Sequence, residues 1–362
     1  MVGELISNLK KGGSSVLLTG HTGFKGTWMT LLLERLGIEV FGYSLEPTES
    51  SLFARLNRTN KIVEVFDDIR NVNKLNSFLA SVKPKYVIHM AAQPLVRISY
   101  EQPIETFDIN VMGTINVINA SILSGSVDTI GIVTTDKVYE NKNLGRKFIE
   151  SDPLQGSDPY SASKVAAESV VKSWINIQKA KGGPKLLSLR AGNVIGGGDL
   201  AHDRLIPDLV RGMNSESLVE IRNPLSTRPW QHVLDPLIGY LCGVSKVSSG
   251  FLLKENALNF GPTESSYSVR KLVSIIDECF PEIVKCKFKD FESSDVNEAI
   301  LLDLDSELAA TTLGWRPAWS QKQAIIATFK WWQDVEKNML SAQRATDNDI
   351  ERLIEFHGIN GV

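Results

Sequence analysis

Tyr160-Ser-Ala-Ser-Lys164 puts a phenol and an ammonium at helical spacing, just after Pro159 at the start of a helical pattern. Residues four apart share one face of a helix. An ammonium beside a phenol favours the phenolate and so lowers its pKa. Such a phenol can take a hydroxyl proton while hydride leaves the same carbon for a nicotinamide. Tyr-x-x-x-Lys alone is common by chance. Here a strand ending Val133-Thr-Thr-Asp136 precedes it, and a glycine-rich turn lies further upstream.

That turn is Gly20-His-Thr-Gly-Phe-Lys-Gly26, directly after the apolar run Ser15–Thr19 and before a helical pattern. Glycines at this spacing let the backbone approach a pyrophosphate, and the helix N-terminus adds oriented N–H groups and partial positive charge. The spacing is Gly-x-x-Gly-x-x-Gly rather than Gly-x-Gly-x-x-Gly, and its place after the first strand separates it from an ordinary βα turn. Lys25 is open to two readings, a direct contact to phosphate or a solvated first-turn lysine. The acidic residue that binds a ribose is expected ~20 residues further on. Glu46 is the candidate, with an exposed loop carboxylate as its alternative. No arginine stands at the end of the second strand, which favours NAD over NADP. Asp68 and Ile69 follow the third strand and can frame an adenine.

These groups need a scaffold that brings strand ends together. Apolar, β-rich runs recur at Ser15–Thr19, Ile38–Tyr43, Ile62–Phe66, Lys85–Met90, Thr129–Thr134 and Leu186–Arg190. Each carries few charges, as strands covered on both faces do. Helical patterns at Lys25–Leu36, Asn71–Val82, Ile104–Leu123 and Tyr160–Lys179 lie between them. This βαβ repetition predicts an α/β fold with a doubly wound parallel sheet of Rossmann type. After Gly192 the pattern loosens. Ala257–Gly261 reads as a strand that can return to the main sheet, and helical patterns follow at Ser268–Phe280, Ser306–Leu313, Ser320–Leu340 and Thr346–Phe356. The expected division is a dinucleotide-binding domain over 1–192, with 233–261 joining it. A smaller mixed α/β C-terminal substrate lobe then comprises 193–232 and 262–362. The last ten residues are expected to be loosely held.

A length of 362 residues suits this two-part organisation, and 43% hydrophobic content can fill a sizeable core. The formal net charge of −3 gives no global field for nucleic acid or an anionic membrane, so neither is an expected partner. Three cysteines without metal-type spacing read as free thiols in a reducing cytoplasm, and no metal is expected. The first residues lack the apolar core of a signal peptide, and no apolar run reaches the ~20 residues of a membrane span.

The pattern resembles the extended short-chain dehydrogenase/reductase family along nearly the whole chain. The resemblance rests on Gly20-x-x-Gly-x-x-Gly26, His89-Met-Ala-Ala-Gln93, Asn110-Val-Met-Gly-Thr114, Thr134-Thr-Asp136, Tyr160-x-x-x-Lys164 and Leu313-Gly-Trp-Arg-Pro317. Within the family it is most similar to the CDP-glucose 4,6-dehydratases. That closer likeness rests on His21-Thr-Gly-Phe-Lys-Gly26, Thr134-Thr-Asp-Lys-Val-Tyr-Glu-Asn141, Gly196-Gly-Gly-Asp-Leu-Ala-His-Asp-Arg-Leu-Ile-Pro207 and Arg228-Pro-Trp-Gln-His-Val-Leu234. Val138 departs from it, since that subfamily commonly has cysteine there.

The resemblance implies NAD as cofactor, CDP-glucose as substrate, and a homodimer paired through the helices Ile104–Leu123 and Tyr160–Lys179. It implies a cofactor site built from Gly20, Thr22, Gly23, Phe24, Lys25, Gly26, Glu46, Asp68, Ile69, Ala91, Ala92, Gln93, Asn110, Tyr160 and Lys164. Tyr160 would take the 4-hydroxyl proton as hydride leaves C4, water would be lost across C5 and C6, and hydride would return to C6. Thr135 would hydrogen-bond the C4 oxygen and Asp136 would protonate the departing 6-hydroxyl. Lys137 stands where the related dTDP-glucose dehydratases carry Glu as the C5 base; it is either that base or only a contact to Asp136 or phosphate. Gln93, Asn193, Arg204, Arg228 and His232 would bind substrate. For the arginines the alternative is a surface salt bridge, and for His232 a filled helix start. His21 and His89 read as structural or cofactor-adjacent. A nucleotide-sugar 4-epimerase, or a non-catalytic NAD-binding scaffold, would share the fold.

Overall fold

The computed structural model describes all residues except 12, 143–144, 202–203, 216, 222, 290–301 and 360–362. His202 and Asp203, within one of the resemblance segments, therefore lie outside the described residues.

Seven strands form the central sheet: β1 (Ser15–Thr19), β2 (Glu39–Ser44), β3 (Val63–Phe66), β4 (Tyr86–His89), β5 (Thr129–Thr135), β6 (Lys185–Ala191) and β7 (Ala257–Phe260). Their order is β7-β6-β5-β4-β1-β2-β3, and every pairing is parallel. The chain winds from β1 outward to β3, then crosses back to β4 on the other side of β1. The order thus reverses between β1 and β4, where a doubly wound sheet opens its crevice.

Alternate strand residues feed opposite layers, as strand geometry requires. Val16 and Leu18 of β1 pack on one face with Trp28 and Leu32 of the helix Phe24–Arg35 and with the helix Leu234–Ser248. Leu17 packs on the other face with Leu75, Val117, Ile118, Val171 and Ile175 from the helices Val72–Val82, Gly113–Ser124 and Pro159–Lys181. Short strands and helices beyond residue 193 form the lobe that faces the strand ends. Val219–Ile221 pairs in parallel with Cys286–Phe288, and Thr227–Arg228 pairs antiparallel with Tyr267–Ser268. Ala257–Phe260 does return to the sheet, beside β6.

Four details depart from the sequence expectation. The expected helix Ile104–Leu123 is divided into Pro103–Phe107, a π turn at Asp108–Met112, and Gly113–Ser124. The helix Leu234–Ser248 was not anticipated. It is buried on nearly every side, so it lacks the amphipathic period that betrays a surface helix. The helix Val2–Lys10 was not anticipated either. It buries Val2, Leu5, Ile6 and Leu9 and is held by the Ser245 hydroxyl, which donates to Leu5 O at 2.7 Å. Finally, the chain end is anchored at least to Ile359, since Leu353 and Ile359 are both buried.

Candidate active site

A crevice of about 1290 Å³ lies along the carboxyl ends of β1, β4, β5 and β6. Its floor begins at the glycine turn. Gly20 has φ +76°, and a Cβ there would stand 2.8 Å from Ala91 N. A Cβ on Gly26 would come within 2.0 Å of Gly20 O. Only glycine fits either place. No side chain caps the helix Phe24–Arg35, so its N-terminus is open to an anionic ligand. Backbone, charge and shape here fit the diphosphate of a dinucleotide, and Gly20, Thr22, Gly23, Phe24, Lys25 and Gly26 all line the crevice.

Several side chains of this end are already engaged. The Thr22 hydroxyl shares a hydrogen bond of 2.7 Å with Ser44 and donates to Leu45 O at 2.9 Å, which ties the turn to the end of β2. Lys25 is not a solvated lysine. Its ammonium donates to the buried Tyr240 hydroxyl at 3.0 Å, and burial together with Lys164 pushes its pKa down to about 7. His21 is buried against Glu64 at 2.8 Å, and His89 bridges Thr19 at 2.7 Å and Thr114 at 3.1 Å. Burial lowers His89 to about 3, so it is a neutral structural group.

The ribose candidate Glu46 is exposed and does not line the crevice, because the chain turns outward after Leu45. Ser44, Asp67, Asp68 and Ile69 line that end instead. Arg70 grips Asp68 at 3.0 and 2.7 Å and holds its carboxyl below the usual range. Asp67 lines the crevice beside it. Ala91 and Ala92 line the crevice, whereas Gln93 and Asn110 do not. The Gln93 amide donates to Thr106 at 2.9 Å and Leu95 O at 3.1 Å. Asn110 accepts from Gln93 N at 2.9 Å and donates to Ser163 at 2.9 Å. Both residues brace the loop after β4 against the Tyr160 helix rather than face a ligand.

The reactive groups converge opposite the glycine turn. β5 ends at Thr135 and runs into one 3₁₀ turn, Asp136–Val138. Thr135 donates to Asp136 Oδ1 at 2.9 Å and lines the crevice together with Tyr160. The helix Pro159–Lys181 starts from a capping box in which Asp158 accepts from Ser161 N at 2.9 Å, with Pro159 at its first position. This start fixes where Tyr160 stands. Lys164 donates to Val133 O at 3.5 Å and is lowered by burial to about 8. Burial pushes the Tyr160 phenol up to about 12 against the opposing charge of Arg204, so in the free chain it is burial, and not the depression by Lys164 that the sequence spacing predicts, that sets the phenol. Asp136 is 2% exposed, and burial raises its carboxyl above the usual range. Among the described residues its Oδ2 has no hydrogen-bond partner. Lys137 is half-buried and lines the crevice beside it.

Asn193, Arg204 and Arg228 line the lobe side. Arg204 keeps a long contact of 3.5 Å to Asp199, and Arg228 donates to Thr227 O at 2.7 Å. Arg228 acts on Asp136, and Arg204 on Tyr160, so both cations stand near the reactive groups. His232 is a correction. It is fully buried outside the crevice, stacked on Trp319 at 4.2 Å and edge-on to Trp28, with Asp349 at 3.4 Å. It fills the core at a helix start. Sequence reasoning missed Ser44, Asp67, Glu168, Arg190, Tyr139 and Tyr240. Of these only Glu168 carried a local signal, standing one helical turn beyond Lys164.

Residues 16–251 match the model of the NAD dependent epimerase/dehydratase family. The chain belongs to that family. NAD is accordingly its cofactor. The chain is 41% identical over 331 residues to a CDP-glucose 4,6-dehydratase of Salmonella typhimurium, covering 88% of this chain and 90% of the relative. A dTDP-D-glucose 4,6-dehydratase of Bos taurus is 26% identical, covering 92% of each chain. Among solved structures, a UDP-glucose-4-epimerase of Stenotrophomonas maltophila with bound NAD superposes with a TM-score of 0.77 at 21% identity, covering 90% of this chain and 99% of that one. That likeness concerns the fold.

Proposed function

We propose that this chain converts CDP-glucose to CDP-4-keto-6-deoxyglucose by oxidation at C4, loss of water across C5 and C6, and reduction at C6. The observation that carries the reading is Asp136, a buried carboxyl with one oxygen unengaged among the described residues, set beside Thr135 and Tyr160 in the crevice. A 4-epimerase needs the phenol and Lys164 but has no use for a second acid at this place. The 41% identity to a CDP-glucose 4,6-dehydratase supports the same choice and the cytidine nucleotide.

When bound, NAD accepts a hydride from C4 and gives it back to C6. Tyr160 takes the 4-hydroxyl proton, and the charge on Lys164 stabilises the phenolate that this requires. Thr135, which lines the crevice with Tyr160, holds the C4 oxygen. The 4-keto group acidifies the C5 proton, and Lys137, in its uncharged amine form, is the candidate base that removes it. Asp136 gives its proton to the departing 6-hydroxyl, and its raised pKa suits an acid in that role. Asn193, Arg204 and Arg228 hold the nucleotide diphosphate, since guanidinium forks match phosphate geometry.

Residues 1–192 with 233–261 form the cofactor-binding unit in this reading, and 193–232 with 262–362 the substrate lobe. The enzyme works in the cytoplasm as a homodimer. Tyr100, Ile104, Phe107, Met112, Leu123 and Ile177 are exposed apolar residues on the helical segments around the Tyr160 helix, which suits a self-complementary helical contact. A monomeric mass in light scattering would refute the dimer. Incubation with CDP-glucose tests the activity. The expected result is a 4-keto-6-deoxy sugar nucleotide with no net consumption of NAD. A CDP-galactose product would make the chain an epimerase, and no turnover would favour a scaffold.

A further inference from the structure

A buried polar network runs behind the crevice and touches both sets of reactive groups. Arg190 of β6 is 3% exposed. Its Nε donates to Glu168 at 2.8 Å, and its Nη2 reaches the other oxygen of the same carboxylate. Its Nη1 donates to the Tyr139 hydroxyl at 2.7 Å and to Glu150 O at 3.1 Å. Glu168 stands on the helix of Tyr160 and Lys164 and also accepts from Thr134 at 2.7 Å. Tyr139 directly follows the turn that carries Asp136 and Lys137. Arg190 therefore grips one residue from each set.

Tyr139 is held on every side. Its hydroxyl donates to Asn259 Oδ1 at 2.7 Å while accepting from Arg190, so donor and acceptor are both used. Its ring stacks on Phe148 at 5.0 Å, and the Arg190 guanidinium lies 5.0 Å from the ring centre. A single 3₁₀ turn has few hydrogen bonds of its own to fix it. Before the turn, β5 holds Thr135. After it, backbone bonds from Gln155 N to Val138 O at 2.9 Å and from Glu140 N to Pro153 O at 2.8 Å join the clamp on Tyr139.

We propose that Tyr139 is a positioning residue for the elimination step, its clamped hydroxyl setting where Asp136 and Lys137 meet C5 and C6. The inference rests on the function proposed above, in which those two residues act in elimination. Oxidation depends less on Tyr139, because Tyr160 is placed by its own helix start and Glu168 keeps its bonds from Arg190 Nε, Arg190 Nη2 and Thr134 when Nη1 loses Tyr139. Loss of the Tyr139 hydroxyl leaves Arg190 Nη1 and Asn259 Oδ1 without this partner, and the turn relaxes.

The test is Tyr139→Phe, followed through a single turnover with CDP-glucose and NAD by stopped-flow absorbance of bound NADH and by quenching for the sugar. NADH should form at the wild-type rate, and the affinities for NAD and CDP-glucose should not change. Elimination should slow by about a hundredfold, the effect of a small misplacement of a reacting group. NADH and a 4-keto-hexose that retains its 6-hydroxyl should then accumulate. Where Tyr139→Phe folds poorly, Asn259→Ala withdraws the acceptor of the same hydroxyl from the other side and is read in the same way. An unchanged ratio of the two rates, or an equal fall in both, overturns the proposal. Failure of the underlying reading looks different, for then the wild-type chain gives no NADH and no keto sugar.

Discussion

Glu168 lies one helical turn beyond Lys164, and its carboxylate strengthens that lysine's hold on its proton against the burial that weakens it. The balance leaves Lys164 at about 8. A lysine lowered in this way is charged below its pKa and neutral above it. Its help to the Tyr160 phenolate is therefore present at neutral pH and lost as pH rises through about 8. We expect kcat/KM for CDP-glucose to fall on that limb. Glu168→Gln removes the charge that raises the lysine, so the limb should move to lower pH. A pH profile of both proteins checks this, and a limb that stays in place in the variant would contradict it.

Tyr160→Phe should stop hydride transfer. Thr135 already donates its hydrogen bond to Asp136, and Asp136 serves as an acid in this reading, so neither neighbour replaces the phenol as the base for the 4-hydroxyl. A positioned acid–base group contributes ~10²–10⁴-fold, and NADH formation in a single turnover should fall by at least that range. The fold should survive, since the helix start is set by Asp158 and Pro159 and not by the hydroxyl. Near-normal turnover with an intact melting profile would sink the role assigned to Tyr160.

Much of the scaffold is legible because its causes are local. The glycines at 20 and 26 answer to steric demands within a few residues, and Tyr160 and Lys164 answer to helical spacing. Strands covered on both faces announce themselves as uncharged apolar runs. What stays hidden has distant causes. His232 has two readings in the sequence, a substrate contact or a filled helix start, and only Trp28, Trp319 and Asp349, closing around it from three remote segments, decide for the second. Glu46 has the expected spacing, but the direction of the chain after Ser44 is set by the bonds of Thr22 to Ser44 and Leu45. Arg190 looks like an ordinary strand residue, and only β6 lying between β5 and β7 brings it to Glu168 and Tyr139. The helix Leu234–Ser248 is buried along nearly its whole length, and an apolar stretch of that kind is not told from a buried strand by periodicity alone.

Gly26→Ala should cripple cofactor binding with little change elsewhere. The new methyl would meet Gly20 O at 2.0 Å and His21 Cα at 2.7 Å, both backbone atoms that cannot rotate away. The turn must open, and overpacking of this kind costs ~1–3 kcal/mol. Because the displaced atoms form the cradle itself, the affinity for NAD should drop at least about tenfold, the equivalent of ~1.4 kcal/mol. Calorimetric titration of NAD into the variant measures this directly. An affinity equal to the wild type would mean that the turn is not the diphosphate site.

Asp136→Asn should separate oxidation from elimination. In the native site the Thr135 hydroxyl donates to Asp136 Oδ1 at 2.9 Å, beside Tyr160 in the crevice. Asparagine keeps an oxygen where Thr135 needs an acceptor, so the geometry around C4 is retained. It cannot give up a proton as a carboxylic acid does. The native carboxyl is suited to that task, because burial raises its pKa more than Lys137, Arg228 and Thr135 lower it, and its Oδ2 is unengaged. The 6-hydroxyl is a poor leaving group without a proton donor. The variant should therefore carry the substrate through oxidation at C4 and stop before water is lost. Stopped-flow absorbance should show NADH forming at close to the wild-type rate and then persisting, with a 4-keto-hexose that still holds its 6-hydroxyl recovered on quenching. Lys137→Ala should give the same stalled state if Lys137 is the C5 base, and an unaltered turnover if it only contacts Asp136. Should either variant abolish NADH formation altogether, Tyr160 does not act independently of the turn that follows β5, and the division of labour between the two groups is wrong.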